Sequence, residues 1–289
     1  MVRNIAIQGV EGCFHQQAAQ EYFGENTKVI PCNTFRKLVD TALYDAHCDG
    51  AVMAIENSIA GSILPNYNLL QHADLKIKGE VYLAIEQQLM VLPGTNWKDI
   101  KEVHSHPMAL LQCSDYLGGH NWKLVETEDT ALSAAYVGAN KLRHLAAIAS
   151  TIAADIYGLE IVASGIQNNN SNYTRFLVLS REENTCSEAD KASVYFRVPN
   201  VQGSLADILN VVASFGINLS KLQSFPVSGS DWQYFFHADL EFQHRQQIEE
   251  CLAAMGRKAA QLRVYGLYKK GRINHEKRTV HENSNSAKA

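Results

Sequence analysis

The sequence predicts an α/β fold over residues 4 to about 180, followed by a separate ferredoxin-like βαββαβ unit. Three observations carry this. Short β-rich runs alternate with helical patterns as far as Leu179, the signature of a sheet with helices on both faces. Arg181–Lys191 (REENTCSEADK) is polar and aperiodic, so it reads as a linker. Beyond it the order becomes strand, helix, strand, strand, helix, strand.

Taken in order, Asn4–Gln8, Lys28–Pro31 and Ala51–Ile55 are apolar enough for strands, and Gln16–Phe23 and Phe35–His47 between them are helical. A strand-rich middle covers Leu75–Leu92. Strand Lys101–His104, helix Met108–Leu117, strand Trp122–Val125 and helix Thr130–Lys141 follow. Strand Leu145–Ala149 leads into a short helix ending at Tyr157, and strand Tyr173–Leu179 closes the region. In the second unit, Ser193–Val198 is a strand. Gly203–Phe215 is a helix with Leu205, Ile208, Leu209 and Val212 on one face and Gly216 at its stop. Ile217–Leu222 is a strand, Ser228–Asp231 a turn, and Trp232–Phe242 another strand. Helix Gln246–Met255 and strand Leu262–Leu267 complete it. The polar stretch 271–289, ending NSNSAKA, is expected to be disordered.

Composition narrows the function. The 289 residues are 46% hydrophobic and 19% charged with a net charge of −4, which gives no basic stripe for nucleic acid. No apolar run reaches the length of a membrane span. Met1-Val2-Arg3-Asn4 leads straight into Ile5-Ala6-Ile7 without a signal-peptide core, so a cytoplasmic protein is expected. The six cysteines are scattered, with no C-x-x-C pair, which argues against zinc and a disulfide framework. His104 and His106 lack a carboxylate or thiol at ligand spacing, and surface or packing roles suit them better than metal binding.

Four segments sit where a sheet of this kind binds ligands, beyond the carboxyl ends of its strands or at a strand start. Gly9-Val10-Glu11-Gly12-Cys13-Phe14-His15 is a glycine turn feeding a helix N-terminus, suited to a carboxylate but equally to a plain turn. Glu56-Asn57-Ser58-Ile59-Ala60-Gly61 places adaptable donors and acceptors at the sheet mouth, although Asn57 or Ser58 could simply cap the next helix. In His104–Cys113, Pro107 suits a first helical turn and puts Ser105 and His106 at its mouth. Gln112 then lies two turns on, where it could also be a solvent-facing glutamine. In Asn168–Phe176, an asparagine-dense loop enters a strand. There Arg175 could fork onto a substrate carboxylate or pair on the surface.

Together these segments resemble the prephenate dehydratase family. GVEGCFHQQAA resembles its glycine motif, AIENSIAG its V-E-N-S-x-x-G, SHPMALLQC its S-H-P-Q-A-x-x-Q-C and NYTRF its N-x-T-R-F. GSLADIL…INLSKLQSFP resembles the ACT-domain pattern G-A-L-x-x-x-L…I-N-L-x-x-I-E-S-R-P. The resemblance covers residues 4 to about 268. It implies a two-lobed, type II periplasmic-binding-protein-like catalytic region over 1–181, a linker at 182–191 and an ACT regulatory domain at 192–270. It implies conversion of prephenate to phenylpyruvate without cofactor or metal, in a homodimer or homotetramer inhibited by phenylalanine at the ACT domains. By position, Thr174, Arg175, Glu56, Asn57, Ser105 and Gln112 are the expected catalytic residues. Gly12, Cys13, Ser58 and Phe176 are expected at the substrate, and Gly203, Ser204, Leu205, Asn218 and Leu219 at phenylalanine.

Within that resemblance Arg175 would clamp a carboxylate and Thr174 would donate to the leaving oxygen. Asn57, Ser105 and Gln112 would orient the dianion and Phe176 would line the cleft, with Glu56 as the alternative acid if burial raises its pKa. Cys13 and His15 stand where small hydroxyl residues are usual, and Met108 replaces a glutamine. Gln223 and Phe225 replace the glutamate and arginine of E-S-R-P. Two rivals stay open: an arogenate dehydratase, and a non-catalytic amino-acid sensor.

Overall fold

The structure is a computed structural model that describes residues 2–183, 186–226 and 234–273. The first lobe is built on β1 (Asn4–Gln8), β2 (Lys28–Cys32), β3 (Gly50–Asn57), β4 (Gly61–Ser62) and β5 (Lys76–Ala84). Helices α1 (Phe14–Phe23), α2 (Phe35–Tyr44) and α3 (Leu64–His72) connect them. The chain then crosses to the second lobe: β6 (Gln88–Val91), β7 (Glu102–Ser105), α4 (Pro107–Gln112), α5 (Ser114–Gly118), β8 (Lys123–Glu126), α6 (Thr130–Asn140), β9 (Leu145–Ala149), α7 (Thr151–Tyr157) and β10 (Glu160–Ala163). It returns to insert β11 (Tyr173–Ser180) into the first lobe.

The first sheet runs β2-β1-β3-β11-β5, with β4 added on β3, and the second runs β10-β6-β9-β7-β8. In each, parallel strands carry helical crossovers while the returning strands are antiparallel. The buried strands are near-continuous apolar runs because both faces are covered: β9 (LAAIA) is buried at every position. Side-chain oxygens start three of these helices. Thr34 accepts from Lys37 N–H, Asp129 from Ala131 and Leu132 N–H, and Ser150 from Ala153 N–H. One core joins the lobes, with Ile7, Val52 and Phe176 in the same buried cluster as Ala134, Ala147 and Ala153.

The last unit comprises β12 (Lys191–Arg197), α8 (Ser204–Ser214), β13 (Asn218–Pro226), β14 (Tyr234–Glu241), α9 (Arg245–Lys258) and β15 (Gln261–Tyr268), in the sheet order β13-β14-β12-β15. The strand period of two divides its chemistry. Val194, Phe196, Ala238 and Leu240 share a core with Ile208, Val212, Cys251 and Met255 of the helices. Tyr195, Phe225, Phe235 and Tyr268 face the other way and join Leu75, Ile77, Leu177 and Leu179 of the first lobe. At Gly266 the docked backbones nearly touch, and an added Cβ would strike the backbone of Ile77.

Several expectations are corrected. Lys191, assigned to the linker, is a buried first residue of β12. Helix α2 stops at Tyr44 rather than His47, and Lys141 is a left-handed cap (φ 51°) after α6. Helix α3 and strand β10 were not expected. The turn at 228–231 and residues 274–289 of the tail lie outside the described residues, as does the start of the strand assigned from Trp232.

Candidate active site

Where β3 ends and the antiparallel β11 begins, their outermost paired residues form the centre of the candidate site. Thr174 lies opposite Asn57, and Asn57 Nδ2 donates to Thr174 Oγ1 at 3.0 Å. Asn57 is itself fully held. Its Oδ1 accepts from Ile59 and Ala60 N–H, closing the turn into β4, and its Nδ2 also reaches Asn172 Oδ1 (2.8 Å) and the Tyr173 carbonyl (3.2 Å). Asn57 thus closes a turn and does not cap the next helix, α3, whose N-cap is Ile63 without a side-chain hydrogen bond. Ser58 ties the same turn to the asparagine-dense loop, donating to the Ser171 carbonyl (3.0 Å) and accepting from Tyr173 N–H (2.9 Å).

The chain of amides continues into the second lobe. Asn172 Nδ2 donates to Gln112 Oε1 at 3.1 Å, and Gln87 Nε2 approaches the same oxygen at 3.5 Å. Gln112 is thus no solvent-facing glutamine. It bridges the lobes beside both interlobe crossings, where Gln167 Oε1 accepts from Gln87 N–H (2.9 Å) and Ile166 N–H donates to the Gln87 carbonyl. Gln87, buried with its Oε1 unpartnered among the described residues, and Asn172 were absent from the candidate residues. Asn172 opens the NYTRF segment and was legible there, whereas Gln87 carries no sequence signal.

The order of donors and acceptors has a chemical consequence. Thr174 Oγ1 accepts from Asn57, so its proton points elsewhere, and no acceptor for it occurs among the described residues. Gln112 Oε1 accepts from Asn172, which leaves Gln112 Nε2 as a donor without a partner among the described residues. Two donors at the ends of a fixed polar chain can meet oxygen atoms of a bound molecule.

Arg175 is the principal correction. Alternation along β11 turns it away from Thr174, and it is 4% exposed. Its Nε donates to Glu80 Oε2 at 2.7 Å, its Nη1 meets Asp239 Oδ2 and its Nη2 reaches Tyr268 Oη at 3.2 Å. It therefore faces the C-terminal sheet and is not placed to clamp a substrate. Burial works against its charge, but the Asp239 carboxylate, the Tyr268 hydroxyl and Glu80 outweigh that and raise its pKa well above the usual value. Asp239, equally buried, is held well below the usual carboxylate range, with Arg175 the largest favourable influence. Glu56, opposite Arg175 in register, points the same way and pairs with Lys221 of β13 instead of acting as a cleft acid.

Other expected residues are structural in this geometry. Phe176 is in the core with its ring 4.9 Å from that of His15, not on an open cleft wall, after a one-residue slip in the β3–β11 register. Ser105 is 0% exposed and donates to the Ile148 carbonyl at 2.7 Å. Gly12 N–H is bonded to Gln16 Oε1, and with φ 88° and Ala153 about 3 Å from any added Cβ the position requires glycine. Cys13 is buried with its Sγ 3.5 Å from the Gln8 carbonyl, and burial pushes the thiol up to about 12. His15 is buried and its Nε2 accepts from Ala54 N–H; burial lowers its pKa to about 3.

The five residues assigned to phenylalanine do not meet within one chain. Gly203, Ser204 and Leu205 open α8, whereas Asn218 and Leu219 follow its far end, eleven helical residues or ~16 Å away. Gln223 and Phe225 face the first lobe. Gln223 meets Ser62 Oγ at 3.3 Å, and the Phe225 ring lies 5.2 Å from that of Tyr67. No group of three or more His, Cys, Asp or Glu that could hold a metal occurs among the described residues. His104 pairs with Glu102 and stacks on Tyr136, and His106 Nδ1 accepts from Met108 N–H.

Comparison with known proteins places this geometry in context. A family model described as prephenate dehydratase matches residues 5–184. A bifunctional chorismate mutase/prephenate dehydratase of Neisseria gonorrhoeae is 35% identical over 270 residues, spanning 91% of this chain and 74% of that protein. Arogenate dehydratase 2 of Petunia hybrida is 36% identical over 284 residues, spanning 91% and 71%. Among solved structures, the prephenate dehydratase of Arthrobacter aurescens in complex with L-Phe superposes with a TM-score of 0.81 at 26% identity, covering 98% of this chain and 99% of that one. A protein described as GqqA, a novel type of quorum quenching acylase, superposes with a TM-score of 0.85 at 29% identity, covering 93% and 98%.

Proposed function

The chain belongs to the prephenate dehydratase family, and we propose that Thr174, held by Asn57, delivers the proton on which the family's reaction depends. That reaction is the decarboxylative dehydration of prephenate to phenylpyruvate, a carbon–oxygen lyase step in phenylalanine biosynthesis. Prephenate carries two carboxylates and a ring hydroxyl. Departure of CO2 and the hydroxyl creates an aromatic ring, so the step is strongly downhill, and the protein must orient the dianion and help the hydroxyl leave as water.

The observation that carries the assignment is the hydrogen-bond direction at Thr174: its oxygen accepts from Asn57, so its proton is available to the leaving oxygen. A threonine hydroxyl is a weak acid, and its effect rests on placement. Positioned proton donation contributes ~10²–10⁴ in rate. Asn57 Nδ2 steadies the oxygen as the proton moves out, and solvent returns it afterwards. Gln112 Nε2 supplies the second donor, and the amides of Asn172 and Gln87 keep Gln112 oriented. Neutral donors cradle the substrate while the ionised groups lie behind the sheet.

Amide cleavage of the acylase kind would need an activated nucleophile. The Ser105 hydroxyl is spent on a carbonyl, the Cys13 thiol is held protonated by burial, and His15 is occupied by Ala54 N–H. These features favour the lyase.

The βαββαβ unit is, in this reading, an ACT domain through which phenylalanine inhibits the enzyme. The separation of Gly203–Leu205 from Asn218 and Leu219 supports a ligand site completed by a second copy, hence a homodimer or homotetramer. A cytoplasmic location, without nucleic acid or membrane as partner, fits such an enzyme.

The test is an absorbance assay for phenylpyruvate, with prephenate and arogenate given separately, with and without phenylalanine. Turnover of prephenate, suppressed by phenylalanine, is expected. Phenylalanine formed from arogenate, with no turnover of prephenate, would transfer the assignment to arogenate dehydratase. Silence with both would leave a sensor.

A further inference from the structure

Two adjacent residue pairs on β3 and β11 face opposite ways. Asn57 and Thr174 are register partners on the side linked through Asn172 and Gln112 to the second lobe, where the substrate cleft is proposed. Glu56 and Arg175 are register partners on the rear. Each rear residue is bound to the C-terminal sheet. Arg175 joins Asp239 of β14 and Tyr268 of β15. Glu56 joins Lys221 of β13, whose Nζ also donates to Ser62 Oγ at 2.6 Å. Ser62 lies opposite Glu56 across the β3–β4 turn, so Lys221 grips both strands that flank the Asn57 turn.

Behind Arg175 the arrangement is closed. Lys191 of β12 donates to both Glu80 oxygens (2.9 and 3.0 Å), Ser193 donates to Asp239, and His237 lies 3.2 Å from Asp239. Two cations and two carboxylates, each at most 4% exposed, thus span the junction between the C-terminal sheet and the sheet that carries Thr174. Buried charges of this kind cannot drift apart without leaving one uncompensated, so the pairing imposes a geometry on the strands that hold it.

We infer that Glu56 and Arg175 are positioning residues through which the C-terminal sheet holds the Asn57–Thr174 pair in its cleft-facing geometry. This rests on Thr174 being the proton donor. A shift of β13 or β14 is felt one peptide unit from each member of the pair, with no intervening loop to absorb it.

The decisive experiment is a double-mutant cycle between Lys221→Met and Thr174→Ala in the full chain. Lys221→Met leaves the buried four-charge cluster intact and should fold. It is expected to lower kcat about tenfold with KM within about twofold, and Lys221→Arg should restore most of the loss. With Thr174→Ala already present, the same change should alter kcat by less than about twofold, because the hydroxyl it positions is gone. Arg175→Lys should show the same coupling. Equal losses from Lys221→Met with and without Thr174, or none in either background, would overturn the inference. If the wild-type chain fails to turn over prephenate, the functional reading falls, and positioning is judged by hydrogen exchange of Ile59 and Ala60 N–H, which bond Asn57. Faster exchange in Lys221→Met would support it, and unchanged exchange would end it.

Discussion

The cleft face and the rear face of the β3–β11 ribbon are made from neighbouring residues and differ in almost every physical respect. The cleft face is neutral, an amide–hydroxyl chain through Thr174, Asn57, Asn172 and Gln112 that keeps two donors uncommitted. The rear face is ionised, and its cations and carboxylates neutralise one another at close range. The difference shows how a sheet can separate two tasks. On the proposed reading, charges that cannot move fix the backbone from behind, while groups with a free proton or N–H meet the substrate in front.

The largest effect expected from breaking this division is on the cleft side. Thr174→Ala should lose ~10²–10⁴ in kcat with a modest change in KM, whereas Thr174→Ser should retain most of the activity. Near-native kcat in Thr174→Ala together with inactivity of Glu56→Gln would reverse the roles of the two faces.

Next comes the rear. Arg175→Ala leaves Glu80 and Asp239 buried with too little positive charge, and should destabilise the fold by ~3–5 kcal/mol in urea unfolding. Because the Asp239 carboxyl lies well below its usual range, its contribution is complete above the unfolded value of ~3.9. It is lost as pH falls below that toward the depressed folded value, so wild type and Arg175→Ala should converge in stability in strong acid. A gap that persists at the lowest pH would show that packing, not charge, dominates.

A smaller effect falls at His15, buried where α1 packs on β3. Its folded pKa of about 3 lies below the unfolded value near 6.5, so the unfolded chain takes up the proton first. Stability should be unaffected above pH 6.5 and decline by up to ~1.4 kcal/mol per unit below it, toward pH 3. His15→Gln, which keeps an acceptor for Ala54 N–H, should flatten that slope in denaturation curves taken at pH 7 and pH 5. An identical slope in both proteins would place the titration elsewhere.

Much of this was legible in the sequence. Alternating patterns located most strands and the βαββαβ order, and the motif match brought Asn57, Gln112 and Thr174 to one place. Arg175 was misread although the rule that corrects it was available. Successive strand residues face opposite ways, so Thr174 and Arg175 could not both address the cleft. Helix α3 was missed because it is gripped from two sides: Tyr67 and Leu70 bury into the first lobe and the C-terminal unit at once, which erases the one-sided periodicity. Lys191 looked like the end of a polar linker because its partner, Glu80, lies 111 residues away. Gln87 acquires its meaning only where the two interlobe crossings meet.

The insertion of β11 between β3 and β5 also sets an order of assembly. The second lobe uses an unbroken stretch, from β6 to β10, so its strands can pair as soon as that stretch is made. The first lobe cannot close until Tyr173–Ser180 returns to the gap in its sheet. Even then Arg175 waits 64 residues for Asp239. As the chain grows, the strand that carries Thr174 is the last piece of the first lobe to arrive, and it finds all its partners only when the final unit has been synthesised.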